Sequence, residues 1–157
     1  MIHLRRDVSS YSLAGRSDAV SIFEMCRDFH QETQLKDIPF DDAVFAGHLA
    51  WLYDDDNCFL AVAKLNGSVA GFMSGWVSQM YFSKTLSAQN NLWYVLPQHR
   101  GSMIGIRLLK MFEAWASDKG AKILVGGTSS GISMSRSNKL IERLGYEPVG
   151  SEYRKVL

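Results

Sequence analysis

The segment from Leu92 to Val125 limits the possible folds more than any other stretch of this 157-residue chain. It reads as an apolar strand ended by Pro97, a basic turn holding Gly101 and Gly105, a helix, and a second strand. Ile104, Leu108, Leu109, Phe112, Trp115 and Ala116 recur at helical spacing, and Gly120 stops the helix. Ala121 to Val125 is short and continuously apolar, the pattern of a buried parallel strand. Strand, helix and strand in that order place the two strands parallel, joined by a right-handed crossover.

Around this unit the chain reads as a single domain, 1–157, with no linker and no repeat. His3 to Val8 is expected as a first strand. Ser17/Asp18 is expected to cap a helix carrying Ala19, Ile22, Phe23, Cys26, Phe29 and His30. Gln31 to Pro39 interrupts it, and Pro39 with Asp41 and Asp42 opens a second helix through Val44, Phe45, Leu49 and Leu52. Asn66-Gly67 joins strands at Cys58 to Leu65 and Ser68 to Phe82 into a hairpin, and Gly71 and Gly75 mark a bulge or bend in the second. Leu92 to Leu96 is the strand that enters the crossover. A helix around Ser135 to Leu144, closed by Gly145, and a last strand from Val149 to Val156 complete the order β-α-α-β-β-β-α-β-α-β.

The apolar runs are far shorter than the roughly 20 residues that span a bilayer, so no membrane partner is expected. The opening MIHLRRDVSS lacks the apolar core of a secretory signal, and Cys26 and Cys58 are too few for a disulfide framework. A cytoplasmic protein with reduced thiols is the expectation. A net charge of +1 does not fit a general nucleic-acid binder. The charge is unevenly spread, however: residues 1–80 hold 6 Lys/Arg against 11 Asp/Glu, and residues 81–157 hold 11 against 5. An anionic ligand therefore belongs in the second half, and the acidic first half suits something cationic.

The turn after Pro97 combines the free N–H groups of a helix N-terminus with Arg100, which is the chemistry of a phosphate site. Val95-Leu96-Pro97 followed by Arg100-Gly101-Ser102-Met103-Ile104-Gly105 resembles the GNAT (Gcn5-related) N-acetyltransferases. In that family a strand ends in V-x-P before R/Q-x-x-G-x-G/A. The run LIERLGYE, Leu140 to Glu147, resembles the family's ending, and the element order matches over nearly the whole chain. FHQETQLKDIPFDD resembles the acceptor-side loop of small members, some of them encoded by phages.

The resemblance implies an α/β fold with a mixed, mostly antiparallel central sheet flanked by helices on both faces. It implies acetyl-CoA as donor and a primary amine as acceptor, on a small molecule or on a protein lysine or N-terminus, attacking directly in a ternary complex. It also allows a homodimer. Tyr94, Val95 and Leu96 would then offer backbone groups to the pantetheine arm, and Arg100, Gly101, Ser102, Met103, Ile104 and Gly105 would hold the diphosphate. The Val95 N–H is the expected oxyanion donor. Glu32 is the expected partner of a cationic acceptor or of its proton, and Tyr146 offers a phenol for proton transfer.

The chain also departs from the family pattern. Met103 replaces a glycine, Ile141 a tyrosine that often protonates the thiolate, and Met134 an asparagine that often touches the cofactor. Gln89 and Asn91 stand where glutamates often act through water. These losses motivate the alternative of a catalytically silent relative that binds CoA or a partner protein.

Rival chemistries fail on their own requirements. Gly127-Thr128-Ser129-Ser130-Gly131 matches a serine-nucleophile elbow, but His3, His30, His48 and His99 all precede Ser129, whereas that machinery needs its histidine afterwards. No P-loop and no dinucleotide glycine motif is present. Cys26 and His30 lie one helical turn apart, but no second ligand pair follows them, so no metal is expected.

Overall fold

The computed structural model describes residues 9–127 and 130–157. The elements are β1 (Ser9–Leu13), α1 (Ala19–Glu32), α2 (Asp42–Asp54), β2 (Cys58–Leu65), β3 (Ser68–Gln79), β4 (Leu86–Val95), α3 (Ile104–Asp118), β5 (Ile123–Val125) and α4 (Met134–Arg143). The strands form one sheet in chain order. β1 to β4 run as an antiparallel meander, and β5 lies parallel to β4 after the α3 crossover. This is the mixed, mostly antiparallel sheet that the sequence predicts.

Alternation along the strands divides the core into two layers. Phe59, Ala61, Met73 and Ala88 pack against Leu108, Leu109, Phe112 and Ala116 of α3 on one face. Leu60, Val62, Phe72 and Tyr94 meet Ile22, Met25 and Cys26 of α1 and Leu49 and Leu52 of α2 on the other. The two-residue period of the strands sends neighbouring side chains to opposite layers. Asp41 caps α2, its carboxylate accepting the Ala43 and Val44 N–H groups at 2.9 and 3.0 Å. Asp18 precedes α1 without capping it; its carboxylate takes the Gly15 N–H and pairs with Lys64 at 2.7 Å.

The expected first strand, His3 to Val8, falls outside the described residues, and β1 begins just after it. β3 ends at Gln79, short of Phe82, because the Met80 N–H closes a turn on the Thr85 carbonyl and leaves Tyr81 and Phe82 exposed. β4 begins six residues earlier than expected, its first half disguised by Ser87, Gln89, Asn90 and Asn91. β5 is not the buried strand its composition implies. Leu124 packs towards α3, but Ile123 and Val125, on the opposite face of the strand, are exposed. The last strand, Val149 to Val156, is absent. Those residues are irregular, with Val149, Tyr153 and Val156 in solvent. Val149 and Tyr153 would share a strand face with polar Ser151 and Lys155, and β5 offers only three residues to pair with.

Two irregularities shape the sheet. One lies in β3 at Ala70, beside Gly71, where the sequence places a bulge. The other is in β4: Met73 pairs with Trp93 and Gly75 with Asn90, so Asn91 and Leu92 together oppose Ser74. Ser74, fully buried, fills this bulge by accepting the Leu92 N–H at 3.3 Å. Gly75 is required by close approach, since a β-carbon there would lie 2.5 Å from the Gln89 carbonyl oxygen and 2.7 Å from the Phe112 ring.

Two glycine-to-alanine substitutions should therefore have opposite signs. Gly75→Ala forces α3 away from the sheet and should cost about 1–3 kcal/mol, lowering Tm by several degrees. Gly47→Ala, inside α2 with nothing within 4 Å of the new carbon, should stabilise by about 0.5–1 kcal/mol. Thermal unfolding of the two variants checks both signs.

Candidate active site

β5 accompanies β4 only briefly. Ser87, Ala88 and Gln89 pair with Ile123, Leu124 and Val125, and then the strands part. Asn90 fixes the parting by accepting the Gly127 N–H on its side-chain oxygen at 3.1 Å. Beyond that point β4 is paired on one side only. The Leu96 N–H bonds the Ala70 carbonyl at 2.9 Å, so by ladder alternation Tyr94 also turns its backbone towards β3. Trp93 and Val95 turn theirs to the open side. The Val95 carbonyl confirms the direction, since it accepts from Arg100 Nε at 2.9 Å.

The basic turn closes the end of this notch. Pro97–His99 form a single 3-10 turn, and Gly101 follows at φ +84°, a left-handed conformation that a side chain would strain. Ser102 Oγ donates to the His99 carbonyl at 2.7 Å and accepts the Ile104 N–H at 3.3 Å. Arg107 is the first N–H of α3 to bond back to a carbonyl, that of Met103. The N–H groups of Gly105 and Ile106 therefore have no intrahelical acceptor. Met103 is exposed on the turn, and the Ile104 side chain is buried under α3, so only the Ile104 backbone belongs to the turn's surface. Gly105 turns its bare Cα to the Trp93 indole, whose N–H donates to the Gly105 carbonyl at 3.2 Å. What Gly105 offers a ligand is its N–H.

Arg100 is engaged more fully than the sequence indicates. Nη1 lies 2.7 Å from Glu32 Oε2, Nη2 donates to Glu32 Oε1 at 3.0 Å, and the guanidinium sits over the Tyr94 ring. The buried Tyr94 phenol donates to the same Glu32 oxygen at 2.6 Å. Arg100 holds the Glu32 carboxyl below its ordinary range, against the opposing effect of burial, and the Tyr94 hydrogen bond adds to the lowering. Burial and the adjacent carboxylate push the Tyr94 phenol well up. A carboxylate fixed in this way is a poor proton acceptor.

The three residues named for catalysis are brought to one notch but not to one point. Val95 lies on the strand, Glu32 joins it from the α1 face, and Tyr146 stands on the α3 face. The Tyr146 phenol donates to Glu113 Oε1 at 3.1 Å and is pushed up by burial and by that carboxylate. With Asn90, Trp93, Gly126 and Ile141 it lines a small cavity where β4 and β5 separate. His30 packs on Phe40. Ser129 lies outside the described residues.

Sequence reading missed His48. From α2 its Nε2 lies 2.9 Å from the Asn91 side-chain amide, at the β4 bulge. Phe45 and Trp51 flank the imidazole, and Trp51 in turn packs on Trp76. Asp55 accepts the Trp51 indole N–H at 3.1 Å. Burial lowers the His48 pKa from 6.5, so the ring is neutral at pH 7. No spacing rule pairs a helix residue with a strand residue 43 positions away; only the bulge, which aims Asn91 at α2, does so.

The sequence profile described as the Acetyltransferase (GNAT) family matches residues 20–146, and the chain belongs to that family. A search of curated protein sequences finds no match. Among solved structures, a transcriptional regulator from Bacillus halodurans C-125 superposes with a TM-score of 0.78 at 14% identity, covering 96% of this chain and 100% of that one. An aminoglycoside N-acetyltransferase, AAC(6')-Iy in complex with CoA, gives 0.76 at 17%, covering 98% and 99%. A ribosomal-protein-alanine N-acetyltransferase from Brucella melitensis biovar Abortus 2308 gives 0.71 at 19%, covering 96% and 99%. These likenesses establish the fold. Among the described residues, no helix is long and apolar enough to cross a membrane.

The state of His48 is directly measurable. Its folded-state pKa lies below the unfolded value of 6.5, so the unfolded chain binds more protons between the two. Stability should be complete above about pH 6.5 and decline as pH falls through that window, and His48→Gln should flatten the decline. An NMR titration midpoint for His48 at or above 6.5 would contradict the assignment.

Proposed function

We propose that this protein transfers an acetyl group from acetyl-CoA to a primary amine by direct attack within a ternary complex. The observation that carries the reading is the parting of β4 from β5 in front of an amide-rich turn. The outward backbone groups of Trp93 and Val95 offer a pantetheine arm the pairing that a neighbouring strand would supply. The N–H groups of Gly105 and Ile106, which have no intrahelical acceptor, are the ones left to meet the diphosphate that follows.

In this arrangement the thioester carbonyl lies beside the Val95 N–H. Attack by the amine turns that carbonyl oxygen into an oxyanion, and a fixed N–H aimed at it lowers the barrier without reorganisation. The amine, as an ammonium, has an ordinary pKa near 10.4 and must lose protons before and during attack. His48 is the group best suited to receive one: it is neutral, and with the Asn91 amide turned so that its oxygen accepts the Nε2–H, the Nδ1 lone pair is left for the proton. Glu32 acts through Arg100 to hold the turn against β4. Tyr146 closes the α3 side of the notch, where the thiolate departs.

Direct attack is supported by the state of both thiols. Burial pushes Cys26 up to about 12 and Cys58 to about 11, so neither is poised to carry the acetyl group as a thiolate nucleophile. Amine acceptors of different sizes are consistent with the fold, since the similar structures include an aminoglycoside acetyltransferase and a ribosomal-protein-alanine N-acetyltransferase.

Thiol release from acetyl-CoA across a panel of small amines and peptide N-termini tests the proposal. One acceptor class should support turnover, with intersecting double-reciprocal lines, and His48→Gln should lower kcat by about 100-fold or more. Parallel lines would indicate an acetyl-enzyme instead. CoA binding with no thiol release from any amine would make the protein a binding module.

A further inference from the structure

A diphosphate needs positive charge that is not already compensated, and in this fold Arg100 does not supply it. Three of its five N–H donors are committed, Nε to the Val95 carbonyl and Nη1 and Nη2 to Glu32. The bidentate carboxylate cancels its charge on the spot. The sequence motif names Arg100 because it cannot show where Glu32, 68 residues away, comes to rest.

A second arginine occupies the open side of the same turn. Arg136 sits in the first turn of α4, where its N–H bonds the Ser133 carbonyl at 3.0 Å. A β-carbon on Gly101 would lie 3.2 Å from Arg136 Nη2, so the guanidinium rests against the bare Cα of the residue that starts the amide run. Gly101 is thus doubly constrained, by its left-handed backbone and by the arginine above it. Among the described residues Arg136 is in no ion pair, whereas Arg16, Arg27 and Arg100 each hold a carboxylate. Lys139 and Arg143 on the same helix outnumber Glu142, and the whole second half of the chain is basic.

We propose that Arg136 is the side chain that meets the diphosphate of CoA, and that Arg100 is a positioning residue, a strut from Glu32 to the Val95 carbonyl. The proposal rests on the reading that the turn after Pro97 receives the donor. It assigns separate duties to two arginines on one loop. Arg136 neutralises the ligand, and Arg100 fixes the strand edge on which the thioester lies.

Calorimetric titration of CoA and dephospho-CoA, with NMR titration of phosphate-free pantetheine, separates the two roles. Arg136→Gln should weaken CoA and dephospho-CoA alike by about tenfold or more, the loss of one charge-assisted contact, and leave pantetheine unchanged. Arg136→Lys should recover part of the loss. The fall of CoA affinity with salt should be shallower in Arg136→Gln than in the native protein. Arg100→Gln should weaken CoA and pantetheine by the same factor, because it disturbs the strand edge rather than the phosphate.

Affinity for CoA within twofold of native in Arg136→Gln would overturn the proposal. A loss confined to CoA and spared in dephospho-CoA would overturn it as well, by moving Arg136 to the 3′-phosphate. An equal loss of pantetheine in Arg136→Gln, with a lowered Tm, would make the residue structural. Native protein that binds no CoA at all would remove the donor reading itself, a result distinct from each of these.

Discussion

Beyond Gln89, β4 has a strand on one side only, and the chemistry of this protein follows from that missing neighbour. Backbone N–H and C=O groups are obligatory hydrogen-bonding groups, and a strand edge turned inward invites an extended partner. Here the edge is produced by few contacts. Val125 ends the pairing, Asn90 draws the Gly126-Gly127 turn aside, and α3 returns close enough to put Phe112 against Gly75. The bulge at Asn91 and Leu92 lets one strand serve two layers, because it changes which side chains face α2 without breaking the pairing with β3.

Electrostatics then assign duties along the edge. Glu32 and Arg100 join α1 to the turn after Pro97, with Tyr94 completing the triangle beneath them. Their charges cancel, so the pair contributes position more than field. Further along the strand, His48 and Asn91 form a neutral polar contact inside an aromatic surround, where burial keeps the imidazole unprotonated. The opposite end of the notch carries the guanidinium of Arg136, which is in no ion pair among the described residues. The notch thus holds a neutral imidazole towards one end and a cation towards the other.

The departures from the family pattern look different in three dimensions. Ile141 leaves no phenol at its own position, while Tyr146 lines the same small cavity with its proton directed to Glu113. Asn91, standing in for an acid, is an amide whose partner is an imidazole. The positions read as losses along the chain thus lie beside polar groups contributed from other elements.

The sequence by itself determined the crossover unit, the hairpin at Asn66-Gly67, the two helices before it, of which α2 carries the cap its aspartate announces, and the location of the amide-rich turn. Each of these is local: a hydrophobic period, a turn dipeptide or a capping side chain acts within a few residues and leaves its mark there. Only the tertiary structure decided that Arg100 would be consumed by Glu32, that Arg136 would lie on Gly101, and that His48 would find Asn91. It also decided that Val149 to Val156 would form no strand. Those outcomes depend on which distant groups share a volume once both core layers have closed, and pairwise encounters across 35 to 68 positions have no period to betray them.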